Sequence, residues 1–283
     1  MSIEFKEVEH VYSPDTPFAY YALKGVSLQI KDGNMTALIG HTGSGKSTLI
    51  QHINALLLPT KGEVKIDDYL ITATDKPQSL RRLRQKAGLV FQFPEYQLFE
   101  ETILKDIIFG PKNFGLSEEE SIAVAKEVIK TVGLDESFFE KSPFDLSGGQ
   151  KRRIAIAGIL AMNPDILILD EPTAGLDPQG AKEMMNLFKK INQSGKTVIL
   201  VTHDMNHVLE YCDDVIVMNK GKIEKHEDVD TLFKNPEYLQ SLGIDLPVLT
   251  SFIMELNKEG FQIDPNIKDV NTLIDQLGGC LHE

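Results

Sequence analysis

The sequence predicts an α/β fold in which a parallel β-sheet is covered by helices on both faces. Three observations predict it: apolar runs of strand length such as Met35–Ile39 and Ile166–Leu169, segments of helical periodicity between such runs, and polar motifs directly after them. Ligands of such sheets bind beyond the carboxyl ends of the strands, so we expect the functional residues there.

The first part of the chain is predicted to be rich in strands. Residues 1–35 show irregular period-2 patterns typical of short strands and turns. The strand Met35–Ile39 leads through a glycine-rich loop into a helix from Lys46 to about Leu57. A short strand at Leu89–Phe91 then precedes a helical region from about Pro94 to Met162. The strands of the sheet are therefore expected on both sides of a helical insertion.

The second part repeats the alternation. The apolar runs Ile166–Leu169 and Val198–Val201 flank a helix predicted from about Gly180 to Asn192. Asn219-Lys220-Gly221 is typical of the turn of a hairpin. From about Pro236 the pattern changes to short amphipathic helices, which indicates a small C-terminal extension.

Composition limits the classes of function. The net charge of −13, from 42 acidic and 29 basic residues, argues against nucleic acid and anionic lipid as general partners. Cys212 and Cys280 lack metal-ligand spacing and are predicted to be free thiols of a reducing cytosol. The first seven residues do not resemble a signal peptide, and the apolar runs are shorter than a membrane helix requires. If the protein serves transport, another chain must span the bilayer.

A phosphate-binding loop is predicted after the strand Met35–Ile39. Gly40, Gly45, Lys46 and Ser47 fit the P-loop pattern, in which backbone N–H groups and a helix N-terminus surround phosphates. Lys46 is expected to reach the β- and γ-phosphates and Ser47 to ligate Mg²⁺. The candidate nucleotide contacts are Gly40, His41, Thr42, Gly43, Ser44, Gly45, Lys46, Ser47 and Thr48.

A pair of carboxylates ends the strand Ile166–Leu169. Asp170 is placed to bind Mg²⁺, directly or through water, and Glu171 to accept a proton from the attacking water or to orient it. A salt-bridged acidic pair is the alternative when this segment is taken alone. With the P-loop, the pair predicts a P-loop NTPase.

A second anion site is predicted at Leu146–Gln150, the signature segment. Ser147 and Gln150 have the spacing of a capping box, so a helix is expected to begin here. The N–H groups of its first turn have no partner within the helix. Gly148 and Gly149 have no side chains that would prevent an anion from reaching these groups. One chain with one P-loop has no obvious need of this site. Two chains arranged head-to-tail do, because each contributes its helix end to the γ-phosphate bound by the other.

The order of these motifs resembles that of ABC-transporter ATPase subunits over roughly residues 1–235. The resemblance implies a P-loop NTPase (RecA-like) core with an N-terminal antiparallel β part. It also implies a helical signature subdomain at about 94–162 and a C-terminal helical extension at 236–283. The implied activity is ATP hydrolysis coupled to transmembrane transport, with ATP and Mg²⁺ bound.

The same resemblance implies further roles. Gln92 matches the glutamine that touches Mg²⁺ and the attacking water, and Asp177 matches the aspartate that crosses the dimer interface. His203 matches the histidine that holds the γ-phosphate. The family stacks an aromatic ring on adenine, for which Tyr12 is the first choice. The competing aromatic residues are Phe18, Tyr20 and Tyr21.

The segment Gln92–Thr102 is a predicted docking surface. It mixes apolar residues with Glu95, Glu100 and Glu101, which would suit a basic helix of a membrane partner. An ordinary helix start with acids near its positive end is the alternative.

The segment Gln92–Thr102 also resembles the energy-coupling-factor (ECF) ATPases, as do Gly40–Thr48 and Phe109-Gly110-Pro111. Within that group the chain looks like the second of two paralogues. The resemblance implies a heterodimer at the cytoplasmic face of the membrane, with a transmembrane coupling protein and small membrane proteins that bind a vitamin or a transition metal ion. It also implies that the C-terminal extension helps to hold the ATPases together, although it could instead complete the chain's own core.

Other classes remain as alternatives. The chain could be the ATPase of another ABC transporter or a soluble ABC ATPase of DNA repair or the ribosome. It could also be a catalytically silent regulatory module, against which the presence of Lys46, Asp170 and Glu171 argues.

Overall fold

The computed structural model describes residues 3–74, 80–265, 267 and 270–280. The strands are β1 (Ile3–Tyr12), β2 (Tyr20–Ile30), β3 (Met35–Ile39), β4 (Lys61–Ile66), β5 (Tyr69–Thr72), β6 (Ala87–Val90), β7 (Ile166–Asp170), β8 (Thr197–Val201), β9 (Asp214–Asn219) and β10 (Lys222–Asp228). Within those residues they form an antiparallel sheet of order β2-β1-β4-β5 and a larger sheet of order β10-β9-β3-β8-β7-β6.

Helices connect the strands and form the C-terminal part. They are α1 (Lys46–Ile53), α2 (Leu80–Lys86), α3 (Ile103–Asn113), α4 (Glu118–Thr131), α5 (Gly148–Leu160), α6 (Pro178–Gln193), α7 (Met205–Tyr211), α8 (Val229–Phe233), α9 (Pro236–Ser241), α10 (Val248–Lys258) and α11 (Val270–Cys280). Helix α1 ends at Ile53 rather than near Leu57, because Ala55 adopts a left-handed backbone conformation with φ of +51°.

The larger sheet confirms the predicted α/β class. Strands β6, β7, β8, β3 and β9 run parallel, whereas β10 pairs antiparallel with β9 at the edge. The prediction of a parallel sheet therefore holds for its centre, and the predicted hairpin adds the antiparallel edge. The carboxyl ends of β3, β6, β7 and β8 meet at one edge, which brings together the segments that follow Ile39, Val90, Asp170 and Val201.

Two hydrophobic layers cover this sheet. Ile166 and Ile168 of β7 face the antiparallel sheet and α1, whereas Leu167 and Leu169 face α3, α5 and α6. This division follows from the alternation of side chains along a strand. Each fully buried aliphatic side chain contributes about 1.5–3 kcal/mol. Because both faces of β7 are buried, its residues are apolar up to Leu169, and Asp170 is its first polar residue.

The helical region contains the predicted caps. Ser117 and Glu120 form a capping box at the start of α4, and Gly133 follows the end of that helix with φ of +77°. A second capping box, between Ser147 and Gln150, begins α5. Both predicted helix starts are confirmed.

The C-terminal part packs in two places. Leu239 and Ile244 share a hydrophobic cluster with Ile39 of β3. Ile253 and Leu273, by contrast, belong to a separate cluster formed with residues of the last two helices and their connection. The stretch from α9 to residue 246 is thus part of the core that carries the P-loop.

Two polar contacts also tie this part to the ATPase fold. The Leu242 carbonyl accepts a hydrogen bond from His41 Nε2, and Asn206 Oδ1 accepts one from the Val248 N–H at 3.0 Å. These contacts join the start of the extension to the P-loop and to α7.

Cys212 is a free thiol whose pKa is raised by burial, while the side chain of Cys280 lies outside the described residues. No helix in the described ranges is long and apolar enough to cross a bilayer.

Candidate nucleotide-binding and catalytic site

A cleft of about 380 Å³ lies at the carboxyl ends of β3, β7 and β8, and we call it the nucleotide cleft. It brings together the P-loop, Gln92, both carboxylates and His203, which are separated by up to 161 positions along the chain (203 − 42 = 161). The lining residues are Tyr20, Ala22, Thr42, Gly43, Gly45, Lys46, Ser47, Thr48, Gln92, Asp170, Glu171, Val201 and His203.

The P-loop requires glycine at two positions of close approach. A Cβ atom at Gly40, where φ is +146°, would lie 2.2 Å from the Met218 carbonyl oxygen. A Cβ atom at Gly45, where φ is +106°, would lie 2.6 Å from the Ala22 carbonyl oxygen. These contacts fix the loop between β2 and β9. The backbone N–H groups of the loop are held at the mouth of the cleft as a result.

Lys46 provides the positive charge of the cleft. Its Nζ donates to the carbonyl oxygens of Gly40 at 2.6 Å and His41 at 3.0 Å. Burial lowers the pKa of Lys46, while the nearby charges of Glu171 and Asp170 raise it in opposition. The ammonium group thus faces two carboxylates, and binding of a phosphate chain adds the anionic partner that such a group favours.

The carboxylate pair occupies two different environments. Burial raises the pKa of Asp170, the charge of Glu171 raises it further, and Lys46 opposes both. Glu171 has an unusual left-handed backbone with φ of +49°, and its N–H donates to the Val201 carbonyl at 3.0 Å. Such strain costs about 1–3 kcal/mol and is typical of functional positions.

His203 lies over Glu171 at the mouth of the cleft. The His203 Nδ1 and Glu171 Oε1 atoms are 2.9 Å apart, so the tautomer protonated on Nδ1 donates to the carboxylate. The side chain of His203 is 82% exposed, whereas that of Glu171 is 17% exposed. The hydrogen bond therefore holds the Glu171 carboxylate inside the cleft. His203 itself is exposed at the cleft mouth, where it faces any molecule that covers the cleft.

The signature segment is not part of this cleft. Ser147 Oγ accepts from the Gln150 N–H at 3.4 Å, and Gln150 Oε1 accepts from the Ser147 N–H at 3.1 Å. A Cβ atom added at Gly148 or Gly149 would meet nothing within 4 Å. The first turn of α5 therefore presents an open surface. Asp177 is likewise absent from the cleft lining, and it caps α6 by accepting from the Gly180 N–H at 2.7 Å.

Two of the candidate aromatic residues contact the P-loop region directly. The hydroxyl group of Tyr12 lies 3.2 Å from Thr48 Oγ1, and that of Tyr20 donates to the Gly43 carbonyl at 3.1 Å. Tyr20 lines the cleft, whereas Tyr12, Phe18 and Tyr21 do not. Both contacting tyrosines remain candidates for the adenine contact.

Sequence reasoning missed the most buried charge near the site. Arg152 is only 3% exposed and forms an ion pair of 2.8 Å with Glu95. Glu95 therefore already has a partner within the chain, contrary to the expectation that it is free for a membrane protein. Arg152 lies within the basic run Lys151-Arg152-Arg153, which gave no local signal of burial.

A pair of histidines lies beside α1, and sequence reasoning missed it too. His52 Nδ1 is 2.7 Å from the Thr48 carbonyl oxygen, and its ring is 4.9 Å from that of His10. The His10 ring in turn contacts Tyr12. Burial lowers the pKa of His52 from 6.5 to about 4 and also lowers the pKa of His10. These rings support the helix that follows the P-loop.

Acidification is expected to destabilise the protein through His52. Between pH 6.5 and about 4 the unfolded chain binds a proton at this position that the folded protein excludes. The free energy of unfolding should therefore fall by about 3 kcal/mol as the pH decreases through that window. Urea unfolding of the wild type and H52Q at several pH values isolates this effect, because their other titrating groups are shared. Identical pH slopes for the two proteins would contradict the assignment.

A P-loop after β3, a carboxylate pair at the end of β7 and an open capped helix together define a class of protein, the nucleotide-hydrolysing cassette. Residues 23–174 match the ABC transporter family. The energy-coupling factor transporter ATP-binding protein EcfA2 of Streptococcus pneumoniae is 53% identical over 92% of this chain and 93% of its own length. The protein of the same name in Lactiplantibacillus plantarum is 54% identical over 93% of this chain and 90% of its own length.

Solved structures agree with these relatives. The chain is similar to cbiO1 from Clostridium perfringens, part of the ABC transporter complex cbiONQ, with a TM-score of 0.74, 38% identity and coverage of 89% and 98% of the two chains. It is similar to the dimeric, post-hydrolysis ATP-binding cassette MJ0796 bound to ADP and Pi, with a TM-score of 0.71, 36% identity and coverage of 80% and 98%. The chain belongs to the ABC transporter family, among its energy-coupling factor transporter ATP-binding proteins. It is an ATPase whose nucleotide is ATP.

Proposed function

We propose that the chain is one of two paralogous ATPases of an ECF-type importer, bound peripherally at the cytoplasmic face of the cell membrane. Its partners are the other ATPase, a transmembrane coupling protein and small membrane proteins that bind vitamins or transition metal ions. One observation carries the proposal: a complete set of hydrolytic residues in the nucleotide cleft, with an open signature segment outside it.

This separation supports a paired arrangement. The N–H groups at the start of α5 have no phosphate to meet within their own chain, because the signature segment is absent from the cleft lining. A second cassette placed head-to-tail supplies the missing half of each site. Ser147, Gly148, Gly149 and Gln150 then act on the nucleotide of the partner, and Asp177 lies at the interface.

Hydrolysis is assigned to the residues of the cleft. Glu171 accepts a proton from the attacking water. His203, which is hydrogen-bonded to Glu171, holds the γ-phosphate. Lys46 neutralises phosphate charge, and the P-loop N–H groups orient the phosphate chain. Loss of the γ-phosphate then removes the contacts that join the two cassettes, so the dimer opens and moves the membrane partner.

The donor set of the cleft fits Mg²⁺. Ser47 offers a hydroxyl oxygen, Gln92 an amide oxygen and Asp170 a carboxylate, and all three line the same cleft. Magnesium prefers such oxygen ligands and keeps several waters and phosphate oxygens. When bound, the ion withdraws charge from the phosphate oxygens.

A second cleft, of about 440 Å³, supports docking of a membrane partner, and we call it the docking groove. It is mainly apolar, with Phe99 and Phe109 exposed at its rim and their rings 4.9 Å apart. Other residues that line it are Arg81, Gln97, Leu98, Asp106, Gly110, Asn113, Phe114, Ile154, Ala155, Gly158, Ile159 and Met162. Such a groove suits one face of an amphipathic helix.

Asp106 gives the docking groove a preference for a positive charge. Its Oδ1 accepts from the N–H groups of Phe99 at 3.3 Å and Glu100 at 3.4 Å. Its Oδ2 is buried and has no hydrogen-bond partner among the described residues. Burial accordingly raises the pKa of Asp106. An arginine or lysine of a helix docked in the groove would favour the ionised form of this carboxylate through its charge.

D106N is expected to reduce co-purification of the transmembrane protein at least five-fold, because the amide keeps the shape and the bonds of Oδ1 but loses the negative charge. The measurement is affinity purification of the tagged chain from mildly solubilised membranes, with the bound proteins quantified by mass spectrometry. D68N, at an exposed turn between β4 and β5, is the control.

The identity of the bound proteins tests the function itself. A second ATPase, one shared membrane protein and several small membrane proteins are the expected set. A single dedicated pair of membrane proteins would favour another kind of ABC transporter. Ribosomes or DNA-repair proteins would overturn the transport role.

A further inference from the structure

Arg152 connects three functional segments through one buried side chain. Its Nε and one terminal nitrogen donate to the two carboxylate oxygens of Glu95, at 3.1 and 2.8 Å. The other terminal nitrogen donates to the carbonyl oxygens of Pro172 at 3.2 Å and Ala174 at 2.7 Å. The guanidinium also lies 5.7 Å from the centre of the Phe93 ring. These contacts use the planar fork of arginine, which lysine cannot reproduce.

The partners of Arg152 belong to segments with separate tasks. Glu95 lies in the short 3₁₀ helix Pro94–Gln97, between Gln92 of the nucleotide cleft and Leu98 of the docking groove. Pro172 directly follows Glu171, and Ala174 lies two residues after Pro172. Arg152 itself lies in the second turn of α5, the helix that begins with the signature segment. One side chain therefore touches the entrance of the docking groove, the loop after the proposed base and the signature helix.

Fold stability alone is a weak explanation for this arrangement. Removing two charges from water costs several kcal/mol per ion, and apolar residues of similar volume are often equally stable in their place. The neighbouring Arg153 shows the simpler case. It pairs with the half-exposed Glu183 of α6 at 2.7 Å and donates to the Val132 carbonyl at the end of α4 at 2.8 Å, so it contacts neither Gln92 nor the loop after Glu171. The Arg152–Glu95 pair differs because it is buried and because its contacts converge on the segments that follow Gln92 and Glu171.

We propose that the Arg152–Glu95 pair is a positioning device that makes the hydrolytic loop respond to a protein bound in the docking groove. A helix seated in the groove displaces the turn Pro94–Gln97, and Glu95 carries Arg152 with it. Arg152 then shifts the carbonyls of Pro172 and Ala174, which sets the position of Glu171 and the approach of the signature helix. The inference rests on the proposed function, since it requires a docked membrane partner.

The test compares ATP hydrolysis by the pair that the chain forms with the other ATPase, purified free of membrane proteins, with hydrolysis by the complex co-purified from membranes. For E95Q we expect the ratio of kcat in the complex to kcat of the free ATPase pair to fall at least five-fold below the wild-type ratio, with KM for ATP within two-fold of wild type. The matched control is E183Q, which makes the same substitution opposite Arg153 and should keep the wild-type stimulation. A purely structural role would change melting temperature or KM instead of this ratio.

A second variant and a double mutant complete the design. R152K keeps the charge but loses the fork, so it should also reduce stimulation, and it is decisive if E95Q does not assemble. The double variant E95Q/R152K should lose no more than the larger single loss, because both act through one pair.

Wild-type stimulation in E95Q and R152K complexes, or an equal loss in E183Q, would overturn the inference while leaving the proposed function intact. A wild-type complex whose hydrolysis does not respond to its membrane proteins would overturn both.

Discussion

Replacing Glu171 by glutamine is expected to slow ATP hydrolysis by about 10²–10⁴-fold, the usual contribution of a general base. Glutamine has the same shape and can still contact His203, but it cannot accept the proton of the attacking water. ATP affinity should stay close to wild type, because Lys46 and the P-loop backbone supply the phosphate contacts. Steady-state hydrolysis and equilibrium binding of ATP measure the two effects separately.

The control for this substitution is E119Q on the exposed surface of α4, which should hydrolyse ATP normally. The E171Q protein should also accumulate as an ATP-bound dimer with the other ATPase, since the closed state is no longer resolved by hydrolysis. Near-normal turnover by E171Q would remove Glu171 from the mechanism.

G40A is expected to abolish ATP binding and to lower the free energy of unfolding by about 3 kcal/mol or more, from combined strain and overpacking. The new Cβ atom would lie 2.2 Å from the Met218 carbonyl oxygen, a backbone atom of β9 that cannot move aside independently. The P-loop and β9 would therefore have to move apart to accommodate this atom. Urea unfolding and ATP binding together measure the consequence.

G33A provides the comparison for this effect. Gly33 also has a positive φ, of +75°, but a Cβ atom there would meet nothing within 4 Å. Substitution of Gly33 by alanine adds backbone strain alone, which costs about 1 kcal/mol of stability. Gly33 does not line the nucleotide cleft. Equal losses of stability in the two variants would show that the contact with Met218 is unimportant.

Local patterns were sufficient to predict the fold class and most elements. Apolar runs with a polar residue at the end predicted β3 and β7, and capping residues predicted the starts of α4 and α5. The grouping of Lys46 with the carboxylates follows from the rule that parallel strands end at one edge. These features depend on neighbours in the sequence or on sheet topology, both of which leave a periodic signal.

Contacts between distant segments left no such signal. Arg152 and Glu95 are 57 positions apart, and neither lies in a pattern that predicts burial. The docking groove likewise assembles residues of α3 and α5 with the segment before α3. The end of α1 depended on the backbone of Ala55 rather than on the run of leucines that follows. The signature segment lies outside the nucleotide cleft of its own chain, so its proposed use by a second chain rests on its open helix start and on the family resemblance.

The packing of the stretch from α9 to residue 246 determines where this chain could be joined to a related chain in a chimaera. Leu239 and Ile244 fill space against Ile39, and the Leu242 carbonyl bonds to His41 of the P-loop. In a chimaera whose second part begins at Pro236, Leu239 and Ile244 would come from one protein and would pack against the sheet of the other. A junction between Leu246 and Val248 would leave that packing native, and the hydrogen bond from the Val248 N–H to Asn206 would be formed across it. The interchangeable module of this chain accordingly begins with α10, and everything before it is inherited together with the ATP site.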